Sequence, residues 1–267
     1  MVIYLIDTLS EALTRFGEDK NGTYLSGSFQ DLGADLLFIE SKNEVFKRNP
    51  GQLFSYIGQD LWNISTIADR LEWTRLNSIR NADFEERWCN YASVDIEYFH
   101  VEFRSIMDYS ALIIAEFHGL SGKLPESYRR LAERINKYER KLPQSMVSLI
   151  RSTEWFWEVR AVRDSLLHWG GRSMVFGEPS EGILFQVHDQ KLNNLIHNKI
   201  LMHNQNVVYF EKYLPYYFSN LLIYLDKMAH ICYESTAFVS KNPRAISYSS
   251  GFGVIKHWIE SLLCEQK

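Results

Sequence analysis

The sequence predicts a mainly α fold: a helical bundle of long amphipathic helices with a small β-hairpin insertion. Three observations predict it. Apolar residues recur at steps of three and four over long stretches, 46% of the 267 residues are hydrophobic, and no Pro/Gly-rich linker divides the chain. A length of this order allows one large domain, and residues 1–267 read as a single domain with a core of about 53–235.

Residues 1–50 give the weakest pattern. A short helix is expected over Ile6 to Phe16, and turns at Gly22, Gly27, Gly33 and Asn49-Pro50-Gly51 flank short apolar pieces. One such piece, for example Leu36-Leu37-Phe38-Ile39, is expected as a strand. From Leu53, the residues Ile57, Leu61, Ile64, Ala68 and Leu71 share one helical face, and the run should end near Asn77. A second long helix is expected over Asp83 to Phe117 on the stripe Ile96, Phe99, Phe103, Ile106, Ser110, Ile113, Phe117, with Gly119 as its C-cap. Pro125 suits the start of a helix running to about Lys141, and another should run from about Gln144 to His168, where Trp169-Gly170-Gly171 stops it. Ser173–Phe176 and Ile183–Val187 read as a hairpin with a six-residue loop. A last long helix is expected over Asn206 to Ser235, then a loop over 241–253 and a closing helix over 254–264.

Composition excludes several classes. A formal charge of −4 argues against a protein that coats nucleic acid indiscriminately, though it permits a local basic patch. Cys89, Cys232 and Cys264 are far apart without C-x-x-C spacing, so buried, reduced thiols are expected rather than a zinc or dithiol site. The N-terminus lacks the basic region and apolar length of a signal peptide, and no stretch reaches roughly 18 apolar residues. A cytoplasmic location with no membrane association is the expectation. His100-Val101-Glu102 is an H-x-E without the P-C-x-x-C of zinc deaminases, so His100 is expected as a packed or solvent-facing side chain. Gly251-Phe252-Gly253 is too short for a dinucleotide loop. His197 and His203 lie six apart with no carboxylate singled out beside them, so they read as surface residues. No cofactor and no metal site is expected.

The segment Arg163-Asp164-Ser165-Leu166-Leu167-His168 carries the chemistry. His168 falls on the last turn of a helix, where the negative end of the dipole favours an imidazolium. Asp164 lies four residues earlier on the same face and can orient that ring. Arg163 can donate two hydrogen bonds to a phosphate. The glycines after His168 leave room for a nucleic-acid backbone. A cation, a titratable ring and an open approach meet the needs of metal-free phosphodiester cleavage. Helix geometry raises a difficulty: positions five apart point about 140° from each other. Either the helix loosens before His168, or a second copy completes the site. Eleven Lys/Arg stand against six acids between Lys123 and Arg172, a basic excess that would attract RNA, with Arg151, Arg160 and Arg172 as the nearest candidates.

Arg163-Asp164-x-x-x-His168 resembles the R-x(4–6)-H signature of the HEPN superfamily. The resemblance implies a compact helical bundle, usually dimeric, and for many members metal-independent endoribonuclease activity in toxin–antitoxin or phage-defence systems. It implies catalytic roles for Arg163 and His168, support from Asp164, RNA as substrate, a homodimer, and an antitoxin protein as possible partner. The alternative is a non-catalytic helical module that binds RNA, a nucleotide or a protein. Residues 1–50, the hairpin and the C-terminal helices lie outside the resemblance.

Overall fold

A computed structural model describes residues 2–37, 46–80, 82–168, 173–176, 178–188, 190–234 and 248–266, with the backbone alone for residues 2, 3, 82–86 and 168. Helix α1 (Val2–Leu13) leads into a hairpin of β1 (Phe16–Asp19) and β2 (Gly22–Leu25), paired antiparallel with Phe16 opposite Leu25. Its turn is closed by the Asn21 amide donating to Asp19 Oδ1 at 2.7 Å, and Gly22 supplies a φ of +123° that other residues rarely adopt. Among the described residues, these two are the strands of this region. Of the apolar piece Leu36-Leu37-Phe38-Ile39, the first two residues end helix α2 (Ser28–Leu37), where Phe29, Leu32 and Leu36 bury one helical face; Phe38 and Ile39 lie outside the described residues.

Helices α3 (Pro50–Arg80) and α4 (Ala82–Phe117) form the longest pair. Their cross-links run antiparallel: Asn63 bonds Glu102, and Arg70 pairs with Asp95. Asp95 is 1% exposed, so Arg70 is what keeps that carboxylate from being a lone buried charge. In the same seam Asp60 faces Glu102, and burial, followed by that neighbouring carboxyl, pushes its pKa up to about 7. The stripes read from the sequence are the buried ones: Ile57, Ile64, Ile96, Phe99, Phe103 and Ile113 are fully buried. Gly119, at φ +62°, ends α4 as expected.

The stretch expected as one helix to Lys141 is two short ones, α5 (Tyr128–Glu133) and α6 (Ile135–Tyr138), interrupted at Arg134, whose φ of −114° is not helical. Another expected helix also splits, into α7 (Gln144–Arg151) and α8 (Glu154–His168). The reason is local. The hydroxyls of Ser152 and Thr153 donate to the carbonyls of Leu149 and Ile150, an alternative to continuing the helix.

The expected hairpin forms from β3 (Ser173–Phe176) and β4 (Leu184–Val187), with Val175 opposite Phe185 and a 3₁₀ turn at Pro179–Glu181 in its loop. A third strand, β5 (Val208–Tyr209), pairs with β4. The final long helix therefore starts later than Asn206. Asn204 Oδ1 accepts from the amides of Asn206 and Val207 in a side-chain-closed turn, and α9 (Phe210–Glu234) begins after the strand. The consecutive residues of α9 from Tyr213 to Leu225 are all buried, so this part of the helix is enclosed on all sides. Pro215 lies inside it.

Helix α10 (Ser250–Cys264) starts four residues earlier than expected, capped by Ser249 Oγ on the Gly251 amide. Gly251 and Gly253 are thus helical residues; a Cβ at Gly251 would collide with the backbone carbonyl of Ser65. One buried cluster runs from Leu5 to Leu262. Of the three cysteines, Cys232 is buried, Cys89 half-buried and Cys264 exposed, which corrects the expectation that all three are buried. No helix among the described residues is long and apolar enough to cross a membrane.

Candidate functional site: two faces of helix α8

Helix α8 stays regular to its end, so the helix does not loosen before His168. Positions 163 and 168 then lie about 140° apart around its axis. The two positions therefore diverge on this helix. The side chain of His168 and all of Arg172 lie outside the described residues.

Arg163 turns into a pocket of about 110 Å³ between α4, α5 and α8. Its charged lining is Arg104, Arg129, Arg160 and Arg163 against Asp108 and Asp164. Arg163 is 12% exposed, and its Nη1 donates to Asp164 Oδ1 at 3.0 Å. Arg160 reaches the other oxygen of Asp164 at 2.8 Å. One carboxylate thus serves two guanidinium groups, leaving the trio with a net positive charge. Arg104 pairs with Asp108 at 3.4 Å and Arg129 with Glu133 at 2.8 Å, both along their own helices and both about half exposed. Exposed pairs of this kind are worth little in water and can yield to an incoming anion. Asp108 is also held by the backbone, its Oδ1 accepting from the Tyr128 amide at 2.8 Å.

The floor of the pocket includes His100, which is fully buried. Its Nδ1 lies 2.7 Å from the Ile96 carbonyl, which can only accept, so Nδ1 carries the proton and donates. Nε2 then accepts from the Tyr213 hydroxyl at 2.9 Å. Burial pushes the imidazole down to about 4, and the charge of Arg163 pushes in the same direction. His100 is therefore a neutral packed ring, one of the two readings its sequence context allowed.

The remaining nominated residues separate. Arg160 and Asp164 belong to the pocket. Arg151 sits on α7, paired with Glu139 at 3.2 Å and bonded to Asn136 at 2.7 Å, and does not line it. Its charge is already engaged by residues outside the pocket. Arg104 and Arg129 were not singled out, because they come from different helices and only the fold brings them beside Arg163.

The opposite face of α8, carrying Glu154, Glu158 and Ala161, borders a second pocket of about 620 Å³. Here Glu158 accepts three hydrogen bonds: from the Tyr217 hydroxyl at 2.5 Å, from His197 Nδ1 at 2.9 Å and from the His197 amide at 3.3 Å. This supplies the carboxylate that the sequence does not single out beside His197. The pairing spans 39 residues and has no local signal. His203, by contrast, bonds the Tyr209 hydroxyl at the surface. Among the described residues, no group of three or more His, Cys, Asp or Glu could hold a metal ion.

No protein-family model, curated protein or solved structure matches this chain.

Proposed function

We propose that this protein binds RNA by seating a backbone phosphate in the arginine pocket of α8. The observation that carries the reading is Asp164 shared between Arg160 and Arg163, with Arg104 and Arg129 at the same pocket. Guanidinium forks match phosphate oxygens in geometry and stay charged at every physiological pH. A pocket of about 110 Å³ falls well short of the 300–1,000 Å³ typical of small-molecule sites and suits a single oxyanion group. The test is RNA binding in EDTA at two salt concentrations. Arg163→Ala should weaken binding about tenfold and reduce the salt dependence by about one phosphate contact. Unchanged affinity would remove the reading.

A second reading is metal-independent cleavage of HEPN type in a homodimer. The motif Arg163-x-x-x-x-His168, with Arg163 at the edge of an anion pocket, favours it. The 2′-OH would attack the adjacent phosphorus, and the 5′-oxygen would leave. His168 would transfer the proton, and Arg163 would stabilise the phosphorane charge. The products are a 2′,3′-cyclic phosphate and a 5′-OH. Since positions 163 and 168 diverge on α8, His168 would come from the second copy. Cleavage that survives EDTA and is lost in His168→Ala supports this reading; RNA binding without cleavage supports the first. A toxin or phage-defence role and an antitoxin partner belong to this second reading alone.

A further inference from the structure

We propose that the second pocket of α8 is a nucleobase-binding site, with His197 reading the edge of the ring and Glu158 positioning His197. The pocket is walled by Tyr4, Trp155, Trp157 and Tyr216, and no Lys or Arg lines it. It therefore lacks the permanent cations of the arginine pocket across the helix. Its volume of about 620 Å³ lies within the range of small-molecule sites. Aromatic walls give a planar ring a stacking surface.

His197 supplies the polar recognition. A carboxylate can only accept, so the 2.9 Å contact places the proton on Nδ1. In the neutral ring, Nε2 is then an in-plane acceptor on a side chain that is 78% exposed at the pocket. Glu158 is held in turn by the Tyr217 hydroxyl and the His197 amide, so the ring orientation is built from the core outward. With three donors on it, the Glu158 carboxylate is occupied; Glu154 is the other carboxylate of the lining. What remains is an aromatic-lined pocket in which Nε2 of His197 is an edge acceptor and Ser152, Asn194 and Asn198 add further polar groups, a lining suited to a heteroaromatic ring bearing N–H groups. The inference does not depend on the phosphate reading, because it concerns different residues on the other face of the helix.

The probes are the four ribonucleosides, which carry no phosphate, titrated into the intact protein and followed by tryptophan fluorescence. At least one should bind saturably, and saturating inorganic phosphate should leave that affinity unchanged. His197→Ala, an exposed substitution, should weaken the affinity at least tenfold. Glu158→Gln should weaken it less and shift the His197 ring toward the Nε2–H tautomer in ¹⁵N spectra, a signature a purely structural role for Glu158 would not produce. Absence of saturable binding by all four nucleosides, equal affinity in His197→Ala, or binding of tetramethylammonium in their place would each overturn the proposal.

Discussion

The two faces of α8 use the same residue types to opposite ends. On one face Asp164 is outnumbered: two guanidinium groups share it, and a positive excess remains beside the pocket. On the other face Glu158 is satisfied by neutral donors and a histidine, and its role is to orient. A carboxylate beside too many cations leaves a site for an anion. A carboxylate with its full set of donors fixes a ring. The ion pairs of the arginine face lie mostly between i,i+4 neighbours on their own helices, whereas the histidine face depends on a contact between distant segments.

The largest effect expected on this comparison comes from pH. His100, beneath Arg163, has a pKa near 4 in the fold against an ordinary value of 6.5. Below 6.5 the unfolded chain takes up the proton first, so stability should fall as pH drops from about 6.5 to about 4 and level off below. The loss is on the order of 3 kcal/mol for one fully buried ring. Denaturant melts at pH 7 and pH 4.5 should show it, and His100→Gln should remove that part of the slope. An unchanged slope would mean that the His100 imidazole is not buried and neutral as described.

Next is Glu158→Gln, expected to destabilise by roughly 1–3 kcal/mol, since it removes a charged acceptor from the buried Tyr217 hydroxyl and from His197. Thermal melts measure this, and no change would show that the histidine face is not built on Glu158. Arg163→Ala is expected to cost about 1.4 kcal/mol in RNA binding, a tenfold loss. The smallest effect is expected at Arg151. Its exposed pair with Glu139 lies away from either face, so Arg151→Ala should change stability and RNA affinity by less than about 0.5 kcal/mol. A larger loss of RNA affinity would move the binding surface from α8 toward α7.

What the sequence reveals follows the range of the interaction. The stripes of α3 and α4 are legible because helical spacing repeats within a few residues, and Ile57, Ile64, Ile96 and Phe103 are buried where that spacing places them. Arg160, Arg163 and Asp164 are legible for the same reason, being neighbours on one helix. The break at Ser152-Thr153 is a competition between hydroxyl and amide for the same carbonyls, which periodicity does not register. Strand β5 depends on pairing with β4, and its two residues carry no alternation of their own. Arg104 and Arg129 join the pocket only through packing of α4 and α5 against α8, and His197 meets Glu158 only because the segment after β4 folds back.

The most direct test is a metal-free RNA-binding titration, in EDTA, of the native chain, Arg163→Ala and His168→Ala. Arg163→Ala should lose affinity about tenfold, His168→Ala should retain binding, and the salt dependence should be shallower for the arginine variant alone. Equal affinity and equal salt dependence in the native chain and Arg163→Ala would contradict it.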